Sequence, residues 1–180
     1  MGMERATDRL FLAVVPPADI AVDIADVTRR LRIELKLLGR PLATEHFHVT
    51  ALHVGDGVGL PHEAIHMGTH IGAQVTLSPF RVRFDQVMSF SNGALVLCSG
   101  DGVAGLELLH ERLAEITAKV GLKRRMSAYT PHITLLRDNQ VVPKHPIEPI
   151  EWTVREFVLV HSLLGRTIHR HLVRFPLIER

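Results

Sequence analysis

Pro131-His132-Ile133-Thr134-Leu135-Leu136-Arg137 decides how this chain is read, because the stretch has a twin. His48-Val49-Thr50-Ala51-Leu52 carries the same His-x-Thr unit 84 residues earlier. The same offset lays Leu10-Phe11-Leu12-Ala13-Val14-Val15 over Ala94-Leu95-Val96-Leu97-Cys98-Ser99, and the helix-like runs after them overlap as well. A repeat of strand–helix–strand size dictates architecture before any single residue does. Two copies predict a duplicated lobe with pseudo-two-fold symmetry: one domain over residues 1–180, with repeat units at about 9–54 and 93–138.

Around these anchors the chain reads as α+β. Leu10 to Val15 is a short apolar run stopped by Pro16-Pro17, the pattern of a buried strand. Ile20, Ile24, Val27, Leu31, Leu35 and Leu38 then recur at helical steps, with Asp19 and Asp23 near the start and Gly39 as the stop. A strand is predicted from His46 to Val54, a turn at Gly55-Asp56-Gly57-Val58-Gly59, and a helix over 61–73. Val75 to Phe90 reads as one long strand or as two with a bend near Pro79, and it alternates Phe80, Val82 and Phe84 against Arg81, Arg83 and Asp85. Ser91-Asn92-Gly93 is a hairpin-type turn into the second copy, whose helix carries Val103, Leu106, Leu109, Leu113, Ile116 and Val120 on one stripe before Gly121. Residues 138–151, rich in Pro and polar side chains, predict the longest loop. Strands follow at Trp152–His161 and Thr167–Phe175, joined at Leu164-Gly165-Arg166. No linker separates the copies, so two lobes packed into one body with a cleft between them are expected.

Composition narrows the function class. An apolar fraction of 46% with 22% charged residues is globular, and 180 residues bury a sizeable core unaided. A formal charge of +2 gives no reason to expect tight duplex binding through many phosphates, although twelve histidines make the chain far more positive in acid. The single cysteine, Cys98, lies in an apolar run and reads as a buried small hydrophobe. No apolar run approaches the roughly 20 residues of a membrane span, and the N-terminus lacks a signal-type core. A cytoplasmic, monomeric protein with no membrane association is the expectation.

The chemistry lies in the paired units. Side chains alternate across a strand, so His48 and Thr50 share a face, as do His132 and Thr134. Were the two strands to face each other, two imidazoles and two hydroxyls would converge on one pocket. That set suits phosphodiester chemistry without a metal: one histidine takes a proton from water and the other gives one to the leaving oxygen. The hydroxyls donate to phosphoryl oxygens as negative charge builds. A lone His-x-Thr means little. Two copies at equivalent points of a repeat mean more, because polar pairs in apolar strands cost free energy unless satisfied or used.

On these residues the chain resembles the 2H phosphoesterase superfamily and, within it, the bacterial RNA 2′,3′-cyclic phosphodiesterase (2′-5′ RNA ligase-like, LigT/ThpR) family. The resemblance spans nearly the whole chain. Arg9-Leu10-Phe11-Leu12-Ala13 is similar to the family's first strand, and Glu45-His46-Phe47-His48-Val49-Thr50 to its first motif. Tyr129-Thr130-Pro131-His132-Ile133-Thr134-Leu135-Leu136-Arg137 is similar to its second and more specific motif, and Phe175-Pro176-Leu177 to its closing strand. The resemblance implies His48 and His132 as the catalytic pair, Thr50, Thr134 and Arg137 as phosphate ligands, no metal and no cofactor. Simple alternation, however, turns Arg137 away from His132. The fold implied is two antiparallel sheets flanked by outer helices about a central cleft. The reaction implied opens 2′,3′-cyclic phosphates of RNA ends or nucleotides to 2′-phosphomonoesters, with 2′-5′ RNA joining in reverse. The chain departs from the pattern at Ala51 and His53, where the family has a leucine and an aromatic, and at about His169, where it has an aromatic.

Two other readings share the pocket. One is a related enzyme acting on 2′-5′ oligonucleotides, small cyclic nucleotides or RNA 3′ ends; the other is a module that binds RNA ends without turnover. His62, His66 and His70 recur at helical steps, as metal ligands or as a solvated face. Gly55-Asp56-Gly57-Val58-Gly59 lacks the Gly-Lys-Ser/Thr of a P-loop. Lys123, Arg124 and Arg125 form a basic loop that could steer RNA, His161 and Ser162 either line the pocket or pack in the core, and Tyr129 favours packing by its parity with Ile133.

Overall fold

Along the first strand, β1 (Asp8–Val14), the side chains part to two faces. Leu10, Leu12 and Val14 enter the main core, while Phe11 and Ala13 join Val158 and Val160 in a small apolar patch on the opposite face. A strand covered on both sides reads in sequence as a continuous apolar run. The computed structural model describes residues 5–60, 62–122 and 128–178; Lys123, Arg124 and Arg125 lie outside them.

Helix α1 (Ala18–Glu34) buries Ala21, Ile24, Val27, Thr28 and Leu31. It stops before Gly39, contrary to the periodicity: Lys36 turns into the left-handed region at φ 53° and Leu38 is 88% exposed. Gly39 has another task. A Cβ there would stand 2.1 Å from the carbonyl oxygen of Arg137, and the Asp138 carboxylate accepts from the Leu38 and Gly39 amides at 2.7 and 2.6 Å. Only glycine lets this segment lie so close to the second motif.

After a 3₁₀ turn at Thr44–His46, β2 runs Val49–Gly57. The strand thus begins later than predicted and extends through Gly55, Asp56 and Gly57, which pair with Leu10, Arg9 and Asp8 instead of turning. Helix α2 (His62–Ala73) packs on this sheet. Strand β3 (Phe80–Ser89) buries Val82, Phe84 and Val87. A turn with Gly93 at φ 82° leads to β4 (Ala94–Cys98), then α3 (Ala104–Lys119) and β5 (Ile133–Arg137).

The expected loop over 138–151 is largely strand: β6 covers His145–Val154. Pro146 and Pro149 are compatible with it because β6 is an edge strand, and an edge tolerates proline. The predicted strand over 152–161 is two strands that change sheet at Arg155, β6 and then β7 (Glu156–Leu163); β8 (Ile168–Pro176) follows.

The strands form two antiparallel four-stranded sheets, ordered β2-β1-β7-β8 and β5-β4-β3-β6. Helix α1 follows a strand of the first sheet yet lies against β5 and β6 of the second, and α3 leans on β2 as well as β3. The expected α+β architecture of two antiparallel sheets with helices is therefore present, with β2 and β5 as edge strands.

Both edge strands are bulged. Leu12 pairs with Leu52 and Ala13 with Thr50, so Ala51 is an extra residue; Leu95 pairs with Leu136 and Val96 with Thr134, so Leu135 is one too. Ala51 and Leu135 stand 84 residues apart, at equivalent points of the two motifs. A bulge shifts the parity of every residue after it.

Candidate active site

Each His-x-Thr unit sits where its edge strand begins. His48 immediately precedes β2 and His132 immediately precedes β5. His48 Nδ1 lies 2.7 Å from the His46 carbonyl oxygen, and His132 Nδ1 lies 2.7 Å from the Thr130 carbonyl oxygen. A carbonyl only accepts, so Nδ1 carries the proton in both rings and donates it backward to the chain. Nε2 of the neutral ring is left with a free lone pair. The same local bond thus prepares both imidazoles for proton transfer at Nε2.

The surroundings differ. His48 lies between Phe11, with ring centroids 5.0 Å apart, and His169, at 5.2 Å; His169 also meets His46 at 4.9 Å. His132 rests against Phe90 at 4.8 Å. Burial pushes the pKa of His48 down, and positive charge on His132, His46 or His171 would push it further. His169 is pushed down to about 4, first by burial and then by the neighbouring imidazoles.

The bulges place the remaining candidates. Thr134 stands opposite Val96 and Arg137 opposite Ala94, and since those two alternate positions of β4 share a face, so do Thr134 and Arg137. Arg137 therefore turns toward the His132 side, against simple alternation, and its Nη1 donates to the Asn92 carbonyl at 3.2 Å. In the first unit the same logic aligns Thr50, opposite Ala13, with His53, opposite Phe11. His53 occupies the place that Arg137 holds in the second unit. It contacts Asp56 at 2.8 Å, and Asp56 is gripped by Arg9 through two bonds of 2.8 and 2.7 Å. Hydrogen bonds from Arg9 and then His53 hold the Asp56 carboxyl far below the usual carboxylate range.

The other sequence candidates divide. His161 is buried on the core face beside Leu10 and contacts Asp8 at 2.6 Å. Ser162, one residue on, is buried on the opposite face and stands across from His169 of β8, on the side of Phe11 and His48. His62, His66 and His70 are exposed along α2, and the described residues contain no group of three or more His, Cys, Asp or Glu that could hold a metal. Sequence reasoning missed the walls formed by Phe11, Phe90 and His46, and a pair that touches the first unit from outside: Tyr129 stacked on His110. Phe11 was within reach, since strand parity separates it from Leu10 and Leu12.

The sequence model of the 2′-5′ RNA ligase superfamily matches residues 16–166. The chain belongs to that superfamily. Among curated relatives of this 2′-5′ RNA ligase superfamily protein, the RNA 2′,3′-cyclic phosphodiesterase of Escherichia coli (strain K12) is 27% identical over 176 residues, covering 95% of this chain and 97% of that one. The crystal structure of E. coli LigT complexed with 3′-AMP superposes with a TM-score of 0.77 at 25% identity, over 96% of this chain and 99% of that one. TT0787 of Thermus thermophilus, at 24% identity and a TM-score of 0.74 over 94% and 97%, shares the fold.

Proposed function

We propose that this chain is a phosphoric diester hydrolase that opens the 2′,3′-cyclic phosphate of RNA ends or nucleotides to a 2′-phosphomonoester, with His48 and His132 as its acid–base pair. One observation carries the reading: two imidazoles, each tethered at Nδ1 to the carbonyl two residues before it, each followed by a threonine on its own face. Two such groups supply what the reaction needs. One Nε2 takes a proton from water as the water oxygen bonds to phosphorus. The P–O3′ bond breaks, and O3′ receives a proton from the other Nε2. Phosphate stays on O2′, and the two rings exchange protonation states, to be reset through solvent.

Thr50 and Thr134 donate to the non-bridging oxygens as charge develops, and Arg137 adds a positive donor on the same face. With a ribose 5′-hydroxyl attacking phosphorus in place of water, the same displacement of O3′ joins ends through a 2′-5′ linkage. Since acid and base are both side chains, turnover needs no metal or cofactor. The name of the E. coli relative supports the substrate class. We further propose a cytoplasmic monomer, a reading in keeping with a single cysteine, Cys98, that is buried and forms no disulfide. No described helix is long and apolar enough to cross a membrane.

The test is hydrolysis of nucleoside 2′,3′-cyclic phosphates in EDTA, with 2′- and 3′-monophosphates resolved. Exclusive 2′-product, lost in His48→Ala and in His132→Ala, is expected. Turnover abolished by chelator, or absent on every cyclic end, overturns the proposal.

A further inference from the structure

We infer that Tyr129 and His110 are positioning residues: together they clamp the bulge of β2 and so set where Thr50 and His48 stand relative to His132. The inference rests on the function proposed above for that site. Strand β2 is an edge, hydrogen-bonded only to β1, so its outer carbonyls need partners from elsewhere. In a regular strand successive carbonyls point to opposite edges. At the bulge two consecutive ones are met from one side. The Tyr129 hydroxyl donates to the Thr50 carbonyl at 3.0 Å, and His110 Nδ1–H donates to the Ala51 carbonyl at 2.7 Å. The two rings are stacked with centroids 4.0 Å apart and planes 10° from parallel, so the donors arrive as one rigid unit. Burial pushes the Tyr129 phenol well above its ordinary range, which keeps the hydroxyl a donor at every working pH.

The place of Tyr129 in the chain gives the clamp its purpose. Thr130, the next residue, supplies the carbonyl that holds His132 Nδ1. From the Thr50 peptide to the His132 ring the path is therefore one hydrogen bond, a short stretch of chain and a second hydrogen bond. His110, meanwhile, ties the same strand to α3, which is packed against β2. The second unit is braced in return, because the Leu42 amide donates to the Leu135 carbonyl at 2.8 Å, at the bulge of β5. Each catalytic strand is finished by groups from the other half of the chain, and errors of about an ångström in such a spacing cost rate far more than they cost binding.

The test uses the full chain carrying Tyr129→Phe, which keeps the ring and removes the donor, and separately His110→Gln. Hydrolysis of a nucleoside 2′,3′-cyclic phosphate should lose roughly tenfold in kcat with KM changed by less than about twofold, and the double variant should lose little more than the worse single one. Wild-type kcat in Tyr129→Phe overturns the inference, as does a loss of kcat that vanishes once the folded fraction is matched. A second readout needs no turnover: inorganic phosphate titrated into labelled protein, followed by the amide signals of Thr50 and Thr134. Wild type should shift both, and Tyr129→Phe should shift Thr134 while the Thr50 response weakens. Equal responses in variant and wild type, or none in wild type, overturn the clamp. A wild type that binds phosphate at both units and hydrolyses nothing overturns the proposed reaction and leaves the clamp standing.

Discussion

At His48 the imidazole lies between Phe11 and His169 with His46 behind; at His132 the ring meets Phe90 and is nearer to solvent. Beneath both rings the backbone does the same things: a tether from Nδ1 to the carbonyl two residues earlier, a threonine on the same face, and a bulge one residue after the threonine. Beyond the bulge the two strands differ again. Arg137 reaches the Asn92 carbonyl, whereas His53 is bound into the Asp56–Arg9 pair. Backbone geometry is thus the shared device, and the side chains around it make the two units electrostatically unequal.

The largest effect should come from treating the units as equals. His48→Ala and His132→Ala are each expected to lower kcat by on the order of 10³-fold, since acid and base are both needed. Near-normal turnover in either variant would break the pairing. Next comes Gly39→Ala, where the added methyl meets the Arg137 carbonyl at the end of β5. Urea unfolding should show a loss of about 3 kcal/mol, with β5 amides exchanging faster than those of β2. A neutral outcome would mean that the Gly39 segment moves aside at no cost.

Thr50→Val and Thr134→Val come third, with a loss of about 10²-fold in kcat each if the hydroxyls serve the transition state. A pure rise in KM would instead assign them to ground-state binding. The smallest effect is in titration. His48 should titrate below free imidazole by NMR, and His132→Ala should raise that value because one source of repulsion is gone. The sign carries to stability. The unfolded chain binds the His48 proton near pH 6.5 and the folded one only at lower pH, so acidification below about 6.5 weakens the fold. A His48 value unmoved by His132→Ala would show that the rings do not sense each other.

Much of this was legible. Hydrophobic runs and helical stripes located β1, α3 and most of α1, and the repeated His-x-Thr pointed to two strand starts, those of β2 and β5, where the candidate site is drawn. The features that escaped depend on pairing. Nothing in the local alternation marks Leu135 as an extra residue, because a bulge exists only relative to its partner strand, and with it went the facing of Arg137. Pro146 and Pro149 hid β6, since edge position is a property of the sheet. Gly39 looked like a helix stop because sequence shows what a glycine permits and conceals which backbone it lies against.

The strand orders also bear on how the molecule comes into being. Sheet β5-β4-β3-β6 is drawn from one unbroken stretch and is complete once Val154 has been made. Sheet β2-β1-β7-β8 joins the two ends of the chain, so β1 must wait, one side unpaired, until β7 arrives. Non-local pairing of this kind is the slow part of folding. During synthesis the half that holds His132 can therefore mature first, while the sheet that carries the strand after His48 is completed last. A chain ended at Val154 should protect the β3 and β4 amides from exchange and leave those of β1 open. A nascent chain of this protein would carry both histidines for some time before it owned an active site.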